Sequence, residues 1–354
     1  MKYPALLPFA DVLPQLDQFD AIIDARSPSE FAEDHLPNAI NCPVLNDIER
    51  AHIGTLYKQV NAFEAKKSGA AIVSRNIAQH IDTIFMDKPR DWKPLIYCWR
   101  GGNRSGSLAH IMAKIGWPAV QLDGGYKAYR RHVNSALAEL PASFTFQVIC
   151  GTTGSGKSRL LQTLEMEGAQ VLDLEDLAAH RGSVLGNLPS QPQPSQKMFE
   201  SSIWQKLRGF NADRVIYIES ESKKVGNLRV PDALIERMRT SACIALTLTP
   251  ACRVKLLIED YAHFIENPTI LNSQLDCLHT LHGSEKIGHW KNLALTGQME
   301  QLVNELLTNH YDPAYRRSIQ RNFVNFPNAN TLALNDISEN AFREAARKLC
   351  LQYD

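Results

Sequence analysis

The stretch Phe144-Thr-Phe-Gln-Val-Ile-Cys-Gly-Thr-Thr-Gly-Ser-Gly-Lys-Ser158 decides how this chain is read. A β-rich run ends at Cys150, a G-x-x-x-x-G-K-[ST] loop fills 151–158, and Arg159–Glu167 continues as a helix. A strand, this loop and a helix in that order form a phosphate-binding Walker A loop. Gly151, Gly154, Ser155 and Gly156 let backbone amides converge on phosphate oxygens, and the helix N-terminus adds positive potential. Lys157 is placed to reach the outer phosphates and Ser158 to ligate Mg²⁺.

Further strands are expected after the loop, at Ala169–Leu174, Arg214–Ile218, Ala242–Leu248 and Thr331–Leu334, interleaved with helices. Alternation of this kind predicts an α/β fold with a parallel sheet, whose active groups sit at the carboxyl ends of strands. Two acidic clusters fall at such ends: Asp173-Leu-Glu-Asp176, with Asp173 and Glu175, and Glu219-Ser-Glu221. They are read either as metal or substrate groups or as solvated turns. Arg181, in His180-Arg-Gly-Ser-Val-Leu-Gly186, is a candidate clamp on an anionic substrate or a plain surface residue. Leu188–Gln196, with three prolines among Ser and Gln, is expected to be a loop. About 250–325 reads as helical, and Ser338 as the N-cap of a last helix.

The chain has 354 residues, which at roughly 150 per domain suggests two domains. Lys+Arg 38 against Asp+Glu 38 leaves no net charge, so a nucleic-acid contact needs a local basic patch. Hydrophobic residues at 44% and charged residues at 21% exclude a disordered or fibrous chain. There is no apolar run of about 18 residues, which argues against a membrane span. The seven cysteines are scattered and lack a Cys-x-x-Cys pair. That pattern points to a reducing cytoplasm and away from disulfides or zinc.

The first half also alternates. Strands are expected at Ala21–Asp24, Pro94–Tyr97 and Pro118–Leu122, with helices at about 105–115 and 126–140. A boundary near residues 140–144 then divides the chain into 1–140 and 141–354. Cys98-Trp-Arg-Gly-Gly-Asn-Arg-Ser105 follows a strand and opens a helix. The glycines allow amides to wrap the sulfur, while the helix N-terminus, Arg100 and Arg104 are expected to favour the thiolate. Cys98 with Arg104 also satisfies Cys-x5-Arg, a spacing used by cysteine phosphatases, although Tyr97 stands where many of those carry His. The loop alone leaves sulfur and phosphate chemistry open.

With Asp24-Ala-Arg26, His35-Leu-Pro-Asn-Ala-Ile-Asn-Cys-Pro43 and the closing Asp123-Gly-Gly-Tyr126, the first half resembles a rhodanese domain. The rhodanese-like half, the G-T-T-G-S-G-K-S loop, His180–Gly186 and the tail segment His310-Tyr-Asp-Pro-Ala-Tyr315 together resemble the tRNA 2-selenouridine synthase family over essentially the whole chain. That resemblance implies an α/β fold: an N-terminal rhodanese-like parallel-sheet domain, then a P-loop NTPase-like α/β domain with a helical C-terminal part. It implies tRNA as partner, through a wobble 2-thiouridine, with selenophosphate and geranyl diphosphate as co-substrates. The expected division has Cys98 handling selenium while Lys157 and Ser158 hold the diphosphate, an assignment that can be swapped.

Lys127, Arg130, Arg131 and His132, and in the tail Arg316, Arg317 and Arg321, are candidate tRNA patches; singly, each is first a solvated helix face. Trp99 is read as a stacking platform for a loop base or as a packing residue. Three alternatives stand beside this reading. They are a rhodanese-fold cysteine phosphatase, a P-loop small-molecule kinase or NTPase with a regulatory cysteine domain, and a non-enzymatic tRNA scaffold.

Overall fold

A computed structural model describes residues 3–183, 185–189 and 191–353. Val184, in the His180–Gly186 segment, and Ser190, in the proline-rich stretch, lie outside the described residues. The chain separates into two compact units, Met1–Ala136 and Leu137–Asp354.

The first unit is built on five parallel strands: β1 (Ala5–Leu7), β2 (Ala21–Asp24), β3 (Ala39–Asn41), β4 (Pro94–Tyr97) and β5 (Val120–Leu122). Their order is β1-β5-β4-β2-β3. All four residues of β4 are buried, as a central parallel strand requires. Its carboxyl end delivers Cys98. Helices Ala62–His80 and Asn103–Ile115 bring Ile77, Leu108 and Met112 against Ile23 and Ile96 in the core. β1 and β3 are not among the expected strands. Each has three residues, lies at a sheet edge and has no fully buried position, so neither carries the apolar run that marks a strand.

The second unit has a parallel sheet ordered β12-β11-β6-β8-β7. Its strands are β6 (Phe146–Cys150), β7 (Gln170–Leu172), β8 (Ile216–Glu219), β11 (Ala242–Leu248) and β12 (Asn330–Leu334). Between β8 and β11 lies a small hairpin, β9 (Lys224–Val225) and β10 (Leu228–Arg229). Its two-residue turn uses Gly226 at φ +58°. The sheet centres on the fully buried β6, so the phosphate loop emerges between the neighbouring strand ends of β8 and β11. Helices occupy Pro250–Asp260, Ala262–Glu266, Pro268–Leu275, His279–Leu295, Met299–Leu306 and Asp312–Asn322. The final helix is Glu339–Tyr353, and Ser338 Oγ accepts the Ala341 N–H near its start. Among the described residues, no helix is long and apolar enough to cross a membrane.

Two strand ends differ from expectation. β7 stops at Leu172, because Asp173 accepts the Asp176 N–H at 2.8 Å and caps the short helix Leu174–Leu177. β8 continues through Glu219, placing that carboxyl within the strand and not in the turn beyond it.

Phe342, on the final helix, is fully buried and its ring abuts Gly156: a Cβ there would lie 2.6 Å from Phe342 Cζ. Phe342→Ala is expected to destabilise the protein by roughly 3–5 kcal/mol in urea unfolding. A cost under about 1 kcal/mol would show that this packing does not hold the second unit together.

Candidate functional site

In the phosphate loop, Gly154 and Gly156 adopt φ +76° and +86°, a region costly for residues with a side chain. Gly151 is needed for space, since a Cβ would meet Ser155 Oγ and come within 2.9 Å of the Leu246 carbonyl. Helix Lys157–Met166 starts at once, so its free amides face the cradle. Lys157 Nζ donates to the Gly151 carbonyl at 2.8 Å and lies 5.7 Å from the Tyr315 ring. The Tyr315 hydroxyl accepts the Gly151 N–H at 2.6 Å and lies 3.1 Å from Ser220 Oγ. Burial, with Cys150 nearby, pushes the Tyr315 phenol up. The loop is also held from outside. Arg253 donates from Nε and Nη2 to the Thr153 carbonyl at 3.0 and 2.7 Å, and pairs with Asp312 at 2.6 Å.

Of the sequence-derived candidates, Gly154, Ser155, Gly156, Lys157, Ser158, Glu175 and Arg181 line one cleft, together with Glu221, Asp260 and Tyr315. Ser158 Oγ donates to Glu175 Oε2 at 3.1 Å. Burial and the neighbouring Glu175 raise the Glu221 carboxyl to about 8. Arg181 lies 3.6 Å from Asp260, with its guanidinium 4.9 Å from the Tyr261 ring. Asp173 and Glu219 do not line this cleft. Asp173 is the helix cap described above. Glu219 is 1% exposed, and its Oε1 accepts the Leu174 and Glu175 amides at 2.7 and 2.9 Å, which makes it a brace for that turn. Ser158 and Glu175 are hard oxygen donors of the kind Mg²⁺ takes. Among the described residues, no group of three or more His, Cys, Asp or Glu forms a metal centre by itself.

Beside the cleft lies a second cavity, almost wholly apolar, and Thr153, Ser183, Leu257, Tyr261 and Tyr311 line both. Beyond that shared rim the slot is lined by residues such as Phe264, Leu271, Met299, Leu302, Val303 and Leu306. Sequence reading missed Tyr315, Tyr261, Arg253 and this slot. The His310–Tyr315 segment was the one signal available for Tyr315.

In the first unit Cys98 is 3% exposed, at the end of β4. Ser105 Oγ donates to its sulfur at 3.1 Å. Tyr126 and Lys127 donate their amides to the Cys98 and Trp99 carbonyls at 2.8 and 3.1 Å, and Gln121 Nε2 donates to the Gly101 carbonyl at 2.7 Å. These bonds anchor the loop carbonyls, and the chain turns into helix Asn103–Ile115, whose first amides favour an anion. Gly125, at φ +53°, permits the approach, because a Cβ there would sit 2.6 Å from the Gly101 nitrogen. Buried Arg26 grips Asp24 at 2.7 Å and lies 4.1 Å from the Tyr126 ring.

The two loop arginines stand in different surroundings. Arg104 is paired with Glu30 at 2.6 Å, whereas Arg100 is exposed on the loop. Burial alone would raise the Glu30 carboxyl, but Arg104, the Ser27 amide and Arg50 outweigh it and hold it at about 2. Trp99 is stacked on Tyr126 with centroids 5.3 Å apart. Lys127 and Arg131 are exposed, while Arg130 reaches Asp34 at 3.9 Å and His132 packs on Phe9. Arg316, Arg317 and Arg321 are all exposed on helix Asp312–Asn322.

A family profile for the tRNA 2-selenouridine synthase AAA domain matches residues 144–282, and one for the rhodanese-like domain matches residues 10–132. The tRNA 2-selenouridine synthase of Nitrosomonas europaea is 32% identical over 352 residues, spanning 86% of this chain and 90% of that protein. That of Marinobacter nauticus is 31% identical, across 83% of this chain and 87% of the relative. The Sulfurovum protein of the same name is 35% identical, across 70% of each.

The Glu221 carboxyl makes stability pH-dependent. Its folded pKa lies above the ordinary 4.5. The folded protein therefore keeps a proton that the unfolded chain releases, and stability is lost as pH rises from 4.5 through about 8. Glu221→Gln should flatten that fall, so its unfolding midpoint gains on the parent's as pH rises across the window. A constant gap would contradict the raised carboxyl.

Proposed function

The chain belongs to the tRNA 2-selenouridine synthase family, and from that premise we propose the reaction its two loops carry out. It is a tRNA-modifying enzyme that replaces the sulfur of a wobble 2-thiouridine by selenium from selenophosphate, through an S-geranyl intermediate made with geranyl diphosphate. One observation carries the reading. The same chain holds a buried thiol in a loop that opens a helix and a P-loop cradle that adjoins an apolar slot.

In the first step the thiocarbonyl sulfur attacks C1 of the geranyl group. The C–O bond breaks, its electron pair leaves with diphosphate, and the base loses its N3 proton. The leaving diphosphate needs preorganised donors, which the loop amides and Lys157 supply. Were Mg²⁺ to accompany the diphosphate, Ser158 and Glu175 would hold it, and it would supply charge neutralisation. Alkylation turns a poorly departing sulfide into a thiolate that leaves readily.

In the second step selenium adds to C2 and geranylthiolate departs. Selenium in selenophosphate is already at the selenide level, so moving it onto Cys98 as a perselenide would require an oxidant. Attack of the Cys98 thiolate at phosphorus requires none. The S–P bond forms, the P–Se bond breaks, selenide is released to attack C2, and water then hydrolyses the S–P bond to phosphate. Ser105, bonded to the sulfur, and the amides opening helix Asn103–Ile115 suit an incoming phosphoryl oxyanion. Exposed Arg316, Arg317 and Arg321 share a helix with Tyr315 and supply local positive charge for an RNA backbone.

Nucleoside mass spectrometry tests this with 2-thiouridine tRNA, selenophosphate and geranyl diphosphate. Cys98→Ser should accumulate S-geranyl-2-thiouridine and form no 2-selenouridine. Lys157→Ala should slow geranylation by about 10²–10³-fold. An unchanged nucleoside profile with the parent protein would overturn the reading and favour the phosphatase and nucleotide-turnover alternatives.

A further inference from the structure

We propose that the apolar slot beside the phosphate loop is the binding site for the isoprenoid tail of the donor. The residues walling it off, and not the loop itself, then select a prenyl diphosphate over other diphosphates. The inference rests on the donor chemistry proposed above and deepens it. The cradle and the slot meet at a rim made of Thr153, Ser183, Leu257, Tyr261 and Tyr311. This rim is amphipathic. Burial pushes the Tyr261 and Tyr311 phenols up, with the Ser183 hydroxyl only partly offsetting it, so both stay neutral beside an anion. Tyrosine suits such a boundary, with a polar tip at one end and an apolar ring behind it.

On the cradle side stand the Gly154–Ser158 amides, Lys157 and Arg181. On the slot side, Phe264, Leu271, Leu302 and Leu306 belong to one buried cluster with Leu185, so the wall is rigid and offers an alkyl chain no hydrogen-bonding partner. An anion cradle side by side with an apolar slot, sharing five wall residues, fits a ligand with a charged head and a hydrocarbon tail, and a nucleotide's ribose and base are polar where this slot is not. Leu257 ties the two halves together, since a Cβ on Gly154 would lie 2.9 Å from its side chain. The His180–Gly186 segment contributes Arg181 to the cradle and Leu185 to the slot. Gly182, at φ +61°, packs against the Glu175 and Glu221 carboxylates, where a Cβ would not fit. One short segment thus contacts both the head and the tail of a bound donor.

Val303 and Met299 line the slot away from the rim, are only partly buried and lie outside the phosphate cleft. Val303→Trp and Met299→Trp therefore fill the slot and leave the loop alone. Calorimetry compares geranyl diphosphate with inorganic pyrophosphate on the full chain. The parent protein should bind geranyl diphosphate at least about 100-fold more tightly, because burying several CH₂ groups contributes about 0.8 kcal/mol each. Val303→Trp should cut that preference by at least about 10-fold with pyrophosphate affinity unchanged, which also reports that the variant is folded, and Met299→Trp should do the same. Equal affinity of the parent for both ligands, or full preference in both variants, overturns the slot assignment. The donor reading fails separately: if selenation proceeds without geranyl diphosphate while the preference and its loss are as stated, the slot stands and the geranyl step falls.

Discussion

The guanidinium of Arg253 holds the second unit's chemistry in place. One edge binds the Thr153 carbonyl inside the phosphate loop, and the other takes the Asp312 carboxylate at the head of the helix that carries Tyr315. Arg253 is 9% exposed, so this charge is stable only because both partners are present. The fork is planar and bidentate, and a lysine could not make both contacts. Through it the loop geometry and the helix that closes the cleft are set together. The Tyr315 hydroxyl on the Gly151 amide is the second tie between the same two elements. The cradle, its rim and the apolar slot all depend on this arrangement.

The two loops solve related problems with different means. Each follows the central strand of a parallel sheet and runs into a helix N-terminus, the place where backbone amides are unpaired and negative charge is stabilised. Each needs glycines where another backbone or side chain comes too close for a Cβ. In the phosphate loop the cation points into the cleft. In the cysteine loop Arg104 is paired with Glu30, and the sulfur's polar neighbour is a serine hydroxyl. The first is suited to a polyanion, and the second to a nucleophile that must receive one small phosphoryl group.

Both loops were legible in the sequence because each is a contiguous pattern whose spacing is set by local backbone geometry. The central strands were legible too, since β4 and β6 are buried along their whole length. The rest was assembled from a distance. Arg253 lies 100 residues from its carbonyl partner and Tyr315 lies 164 from Gly151, so no local pattern marks either. The slot escaped because its apolar lining reads as ordinary core. Asp173 and Glu219 lie outside the phosphate cleft for a related reason. A carboxylate near a strand end can cap a helix or brace a turn as readily as it can face a substrate, and only the backbone amides around it decide. Arg104 pointed to the sulfur by spacing, yet Glu30, 74 residues earlier, takes its charge.

The central claim is that head and tail of one donor occupy the cradle and the slot together. Hydrogen exchange of the full chain, measured with pyrophosphate and with geranyl diphosphate, tests it most directly. Both ligands should protect 151–158. Only geranyl diphosphate should add protection in the slot-lining helices, Ala262–Glu266 and Met299–Leu306. Identical protection maps for the two ligands, or protection confined to the Cys98 loop, would contradict the account.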